Sequence, residues 1–471
     1  MLPSARLKLL QQGRGAGFLA ALEAGTRASA DLLDCVLHDP RWDRQVESRE
    51  EYYGQLLGAT GTDIDSLRRF ISQESPEADD SDFWLPIGVL VEMTRRGSPS
   101  AGGAIAEGVA KGAQWRACLE SLEAAGGLDL ASRVVHAEVM ERLISRVGVE
   151  AIVEAVAQVA APWEHWAETV PALRFVIGEK GSDARCEPRP LGGNIAWAAH
   201  RLRGQEMPGD LAAFQTESLL LLCSSPRAAS EVWKELARRT DPEARKLMET
   251  AAEVGAPWER NAALRALGHQ GFPGFVGAAE EFLRMESMHA LTERPGIQRR
   301  IGFLRYLEEL PPAISLPLAR AWFTEAWPLS LAAEHILAKH AAPDDRPMLV
   351  AAGAAALESS DMYRLCSIVD ALVTAGPDDA LPLLIEIYER SPYSWARRRV
   401  VGAMDRCRVT ADVHRYLEEA LWDCESESRA LACRAVDETS AISRSRIQEL
   451  ASDRYESEAV TAVARGVLRG K

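Results

Sequence analysis

The sequence predicts an all-α protein, a right-handed α-solenoid of stacked antiparallel helical hairpins. Three observations predict it. Four stretches near the C-terminus can be laid over one another: Val369-Asp370-Ala371-Leu372, Val401-Gly402-Ala403-Met404, Arg434-Ala435-Val436 and Ala464-Arg465-Gly466-Val467. Anchored on Leu372, Met404, Val436 and Val467, they recur at steps of 32, 32 and 31 residues. The apolar residues of the period fall on one face of a 3.6-residue helix. Alanine and leucine dominate, while β-branched runs of strand type are scarce. A helical hairpin cannot bury its apolar face alone, so a repeat of this length needs a neighbour.

Residues 1–177 are read as a first helical array. The stretch Leu32-Leu33-Asp34-Cys35-Val36-Leu37-His38-Asp39-Pro40-Arg41-Trp42-Asp43-Arg44-Gln45-Val46-Glu47-Ser48-Arg49, followed by Tyr52 and Tyr53, resembles a segment near the start of bacterial HEAT-repeat proteins. There a helix ends, Asp-Pro turns the chain and a charged helix begins. The resemblance implies a HEAT-like fold and no catalytic residues, since those proteins share no single activity. It also implies a ladder between repeats, from an Asp in the turn to an Arg on the second helix. Asp39, Asp43 and Arg49 are the residues placed for it. Further on, Gln73 to Asp82 forms an acidic, turn-rich patch ahead of Phe83-Trp84, read as a solvated loop.

Residues 178–210 interrupt the helical grammar. The segment carries Gly178, Gly181, Pro188, Pro190, Gly192, Gly193, Gly204, Pro208 and Gly209, with one short helix at about Asn194 to Arg203. Lys180, Arg185, Arg189, Arg201 and Arg203 make it locally basic within an acidic protein. In repeat arrays, insertions project from one face, often the binding face. Arg185, Arg189 and Trp197 are therefore candidate contacts to an acidic partner; the alternative is a joint between two arrays.

Residues 211–471 are read as a second array. Asn261 to Gly268 looks like the second half of a HEAT repeat, where small residues let helices pack closely. Ala-Pro-Trp-Glu occurs at Ala161–Glu164 and again at Ala256–Glu259; proline then tryptophan suits a helix start with an aromatic wedged against the previous turn. From residue 328 onward the hairpins are regular. Leu365, Ile368, Val369, Leu372 and Val373 line one helix face, Gly376 accepts a left-handed cap, and Pro377 starts the next helix. Leu381, Leu384, Ile385 and Tyr388 give the partner stripe. Further helices are expected at Ser394–Arg406, at the stripe Val413 to Leu421, within Glu427–Asp453, and from Glu456 to Leu468.

Composition bounds the function. Lys and Arg number 54 against 69 Asp and Glu, a net charge of −15. A surface this negative repels phosphate backbones, so no nucleic acid is expected as a partner. The eight cysteines show no C-x-x-C spacing, and most sit in apolar helical stripes as small hydrophobes. The first residues show no signal-peptide core. The longest apolar run, Met348 to Leu357, is about half of the roughly 20 residues that span a bilayer. A cytoplasmic protein without membrane contact is expected.

No chemistry-bearing motif emerges. The P-loop spacing is absent around Lys180, H-E-x-x-H and G-x-S-x-G do not occur, and His335 and His340 lie on opposite helix faces. No catalytic residue, cofactor or metal ligand is assigned. The densest basic cluster of the repeats is Arg397-Arg398-Arg399 with Arg406 and Arg408. Arg397, Arg398 and Arg399 are candidates to anchor another protein with an acidic patch. The function read from these features is a non-catalytic protein–protein interaction scaffold. One alternative is a regulatory or immunity-type accessory protein acting on an effector encoded nearby. The other is a HEAT-like DNA glycosylase or lyase, which needs a basic concave strip with an Asp and a Trp at its centre.

Overall fold

The computed structural model describes residues 4–74, 80–159, 161–174, 226–239, 241–285, 294–407, 411–436 and 440–470. All regular structure among them is helical. The expected insert, with Arg185, Arg189 and Trp197, lies outside the described residues. No described helix is long and apolar enough to cross a membrane.

The N-terminal helices are α1 (Ala5–Gln12), α2 (Gly15–Ala24), α3 (Ser29–Leu37), α4 (Glu50–Thr60), α5 (Asp65–Ile71), α6 (Trp84–Arg95), α7 (Pro99–Lys111), α8 (Trp115–Val134), α9 (Ala137–Gln158) and α10 (Trp163–Thr169). Ser4 caps α1 by accepting from the Leu7 amide at 3.0 Å, and Gly13 ends it in the left-handed region. Alternate helices pack on one another, α2 with α4, α4 with α6 and α6 with α8, and likewise α5 with α7 and α7 with α9. Gly127 and Gly148 have positive φ and kink α8 and α9.

The middle of the chain forms α11 (Pro226–Arg238), α12 (Pro242–Val254), α13 (Pro257–His269), α14 (Val276–Met285), α15 (Arg294–Glu309), α16 (Pro312–Trp322), α17 (Leu329–His340), α18 (Arg346–Glu358), α19 (Met362–Ala375) and α20 (Leu381–Arg390). The same alternation holds: α11 packs on α13, α13 on α15, α15 on α17 and α17 on α19. Both Ala-Pro-Trp-Glu copies start helices, but only one tryptophan is a wedge. Trp163 is buried and its indole donates to the Val159 carbonyl at 3.0 Å, whereas Trp258 is 47% exposed.

The C-terminal helices are α21 (Ser394–Met404), α22 (Ala411–Glu419), α23 (Ser426–Ala435), α24 (Ala441–Ser452) and α25 (Glu458–Leu468). Leu372, Met404 and Val436 are buried, as their period requires. Val467 is half-buried, in the last turn of the last described helix.

The chain divides into two compact units, Met1–Arg189 with Ile387–Lys471, and Pro190–Glu386. The first unit is therefore built from both ends of the sequence. Its two parts meet closely. α2 packs on the turn Ala420–Trp422, and the Cys424 amide donates to the Gly13 carbonyl at 3.0 Å. A Cβ on Gly15 would stand 1.9 Å from the Glu419 carbonyl oxygen, so only glycine admits this approach.

Candidate interaction surface

The arginine cluster of α21 is split by helix geometry. Arg397 shares a face with Val400, Val401 and Met404, three, four and seven residues on, and is fully buried with them. Its Nε lies 3.5 Å from Asp423 Oδ2, an ion pair without hydrogen-bond geometry, and its Nη1 donates to the Ser391 carbonyl at 3.4 Å. Arg397 is thus turned away from solvent, unlike Arg398 and Arg399, with which it was grouped as a candidate anchor for an acidic partner. Arg398 and Arg399 are only partly covered. Arg398 sits 4.6 Å from the Trp395 ring centroid and pairs with Glu427 at 2.9 Å, and Arg399 donates to the Trp395 carbonyl.

Arg397 belongs to a buried ionic seam between the two parts of the first unit. Arg49 is fully buried; it pairs with Glu47 at 2.9 Å and donates to the carbonyls of Gln11 and Pro392. Glu47 accepts from the amides of Asp43 and Ser394, both at 2.9 Å. Burial pushes its carboxyl up, but the Arg49 charge and these donors hold it below the usual carboxylate range. Arg49 and Arg41 are both buried in this turn; Arg49 takes Glu47 as its carboxylate, and Arg41 takes Asp39 at 2.7 Å. Arg429 grips Glu456 through two bonds of 2.9 and 2.6 Å and reaches Glu51 at 2.9 Å. Arg14 forms a two-pronged pair with Glu419, both bonds at 2.9 Å. Burial pushes Glu425 up to about 7 and the Cys424 thiol well above its ordinary range. A thiol so placed is inert, and the seam is structural.

The second unit carries an open groove of about 560 Å³ across α11, α13 and α15. These helices run in the same direction: Gln270, just after α13, donates to carbonyls at the end of α11, and Asn261 meets Gln298 near the start of α15. α13 and α15 approach closely because Gly268 and Gly302 lack side chains; a Cβ would come within 2.4 and 2.2 Å of the Tyr306 carbonyl and Asn261 Oδ1. Each helix then offers one pair of side chains four residues apart, which share a face. α11 gives Lys234 and Arg238, α13 gives Arg265 and His269, and α15 gives Arg305 and Glu309. Between the pairs lie Ala237, Ala262 and Ala266. Trp233 also lines the groove, is 4% exposed, and its indole N–H has no acceptor among the described residues.

Four permanent cations and one carboxylate thus line the groove; Arg238 and Arg305 also meet Glu235 at 3.5 Å and Glu308 at 3.2 Å, and the groove's own carboxylate is taken. Glu309 accepts from Lys339 of α17 at 2.6 Å and from Arg265 at 3.3 Å, with His269 at 3.6 Å. Burial pushes its carboxyl up, but the Lys339 hydrogen bond and the Arg265 charge bring it below the usual range. So depressed, Glu309 is a weak base for activating water. The groove has the Arg, Lys and Trp that the glycosylase alternative asks for, and among the described residues no Asp lines it. Among the described residues no three His, Cys, Asp or Glu side chains are placed to hold a metal. No family model and no curated protein matches this chain.

Proposed function

We propose that the protein is a non-catalytic interaction module of HEAT-like, solenoid character that binds another protein through its helical surface. One observation carries the reading. In a chain of net charge −15, three successive parallel helices offer paired side chains on one groove, and four of the six are permanent cations. Arg238, Arg265 and Arg305 keep 73, 63 and 53% of their side-chain area exposed. Each meets an acid, Arg238 with Glu235 at 3.5 Å, Arg265 with Glu309 at 3.3 Å and Arg305 with Glu308 at 3.2 Å, yet most of each side chain stays open to solvent. Exposed cations of this kind steer encounter and select partners by sign. The alternate packing of helices and the period of about 32 residues support the HEAT-like part of the reading.

The test is affinity purification of the tagged full-length chain followed by mass spectrometry, beside a Lys234→Glu/Arg265→Glu variant. The expected result is a protein enriched over the tag control and lost from the variant, with helicity unchanged. Enrichment of no protein by the wild type contradicts the reading.

A further inference from the structure

Sign, number and spacing narrow what the groove can hold. Lys234, Arg238, Arg265 and Arg305 are the cations, and Glu309 is already neutralised by Lys339 and Arg265. The occupant is therefore an anion. Duplex nucleic acid is held by about six to ten phosphate contacts in typical complexes. The groove supplies four cations, and the remaining charge of the chain opposes a polyanion. A short run of carboxylates asks only for as many cations as it has acids.

Spacing sets the length. Packed helices lie about 8–10 Å apart, so the rows on α11 and α15 are roughly 20 Å from each other. Lys339 on α17, the next helix in the row, extends this to about 30 Å. An extended chain rises about 3.3 Å per residue, so about six to nine residues cross the rows. Carboxylates about three residues apart then meet successive helices. The alanines between the rows leave room for a backbone to approach.

We propose that the groove binds an extended acidic segment of a partner protein, about six to nine residues long, with carboxylates spaced about three residues apart. The inference rests on the reading of the protein as an interaction module and names its partner's chemistry.

The experiment is fluorescence anisotropy of the full-length chain with a labelled peptide of about nine residues bearing glutamate at every third position. The control peptide has glutamine in their place. The variant Lys234→Gln/Arg238→Gln/Arg265→Gln/Arg305→Gln changes only groove side chains, and its melting temperature is expected to match the wild type. The wild type should bind the glutamate peptide at least tenfold more tightly than the glutamine peptide. The variant should lose at least tenfold, and added salt should weaken the wild-type complex. Equal affinity for both peptides, or unchanged binding by the variant, overturns the proposal. So does tighter binding of an oligothymidylate of similar length, or displacement of the peptide by inorganic phosphate at lower concentration than by free peptide. Partner capture separates the two readings: if the quadruple variant still enriches the wild-type partner, the groove assignment falls and the interaction module stands. If the wild type enriches no protein, the module itself falls.

Discussion

At position 397 a guanidinium is turned into the core while its neighbour at 398 stacks over Trp395 at the surface. Removing Arg397 leaves the Asp423 carboxylate buried without its counter-charge, which typically costs about 3–5 kcal/mol. Arg397→Ala is therefore expected to lower stability by that order in chemical denaturation, while Arg398→Ala changes it by less than about 1 kcal/mol. Equal effects contradict the assignment of the two faces. Glu425 makes a pH-dependent prediction. Its carboxyl stands at about 7 in the fold, against about 4.3 in an unfolded chain. The folded form takes up the proton first, so Glu425 favours folding fully below about 4; that contribution is lost as pH rises to about 7. Glu425→Gln removes the buried charge and keeps an acceptor for Ser394. It should stabilise the protein at pH 8 by up to about 3 kcal/mol and have little effect at pH 4. Stabilisation that is the same at both pH values contradicts this.

The helices themselves follow from local rules that a sequence displays. The 3-1-3-1 stripe of α19 is buried at Leu365, Ile368, Val369 and Leu372, and Leu372→Ala should cost about 2–5 kcal/mol in unfolding measurements. A loss below half that range speaks against its burial. The boundaries of α21 and α25, and the start of α23, lie within two residues of those the repeat suggested. Gly268, the last residue of the stretch read as close-packing, is the one whose missing Cβ admits the Tyr306 carbonyl. The inward face of Arg397 was also legible, from Val400, Val401 and Met404 at helical spacing, but a run of three arginines masks that spacing. The groove was harder to read. Lys234/Arg238, Arg265/His269 and Arg305/Glu309 each show a spacing of four, yet such pairs are common on solvated helices. Only the three-dimensional adjacency of α11, α13 and α15 makes them one site. Replacing Gly302 with leucine should force those helices apart and reduce stability and peptide binding together; unchanged values for both speak against this packing.

For the molecule as a whole, the period near the C-terminus implies neighbours but does not say which ones. α1, α2 and α4 are separated from α21 and α23 by more than 300 residues of sequence, and no periodic signal links them. The signals that existed were small: glycines at 13 and 15, and charged residues at 14, 49 and 51. Those features make the ends of the chain one body, through Gly15 against Glu419, Arg49 on the Pro392 carbonyl and Arg429 on Glu51. The most direct test is a double-mutant cycle between Arg14 and Glu419, whose paired bonds join residues 405 apart in sequence. Arg14→Ala, Glu419→Ala and the double variant would be compared by denaturant unfolding. A favourable coupling of about 1–3 kcal/mol is expected for contacting, largely buried partners. Additive effects, within about 0.3–0.5 kcal/mol, would mean that the two ends do not meet.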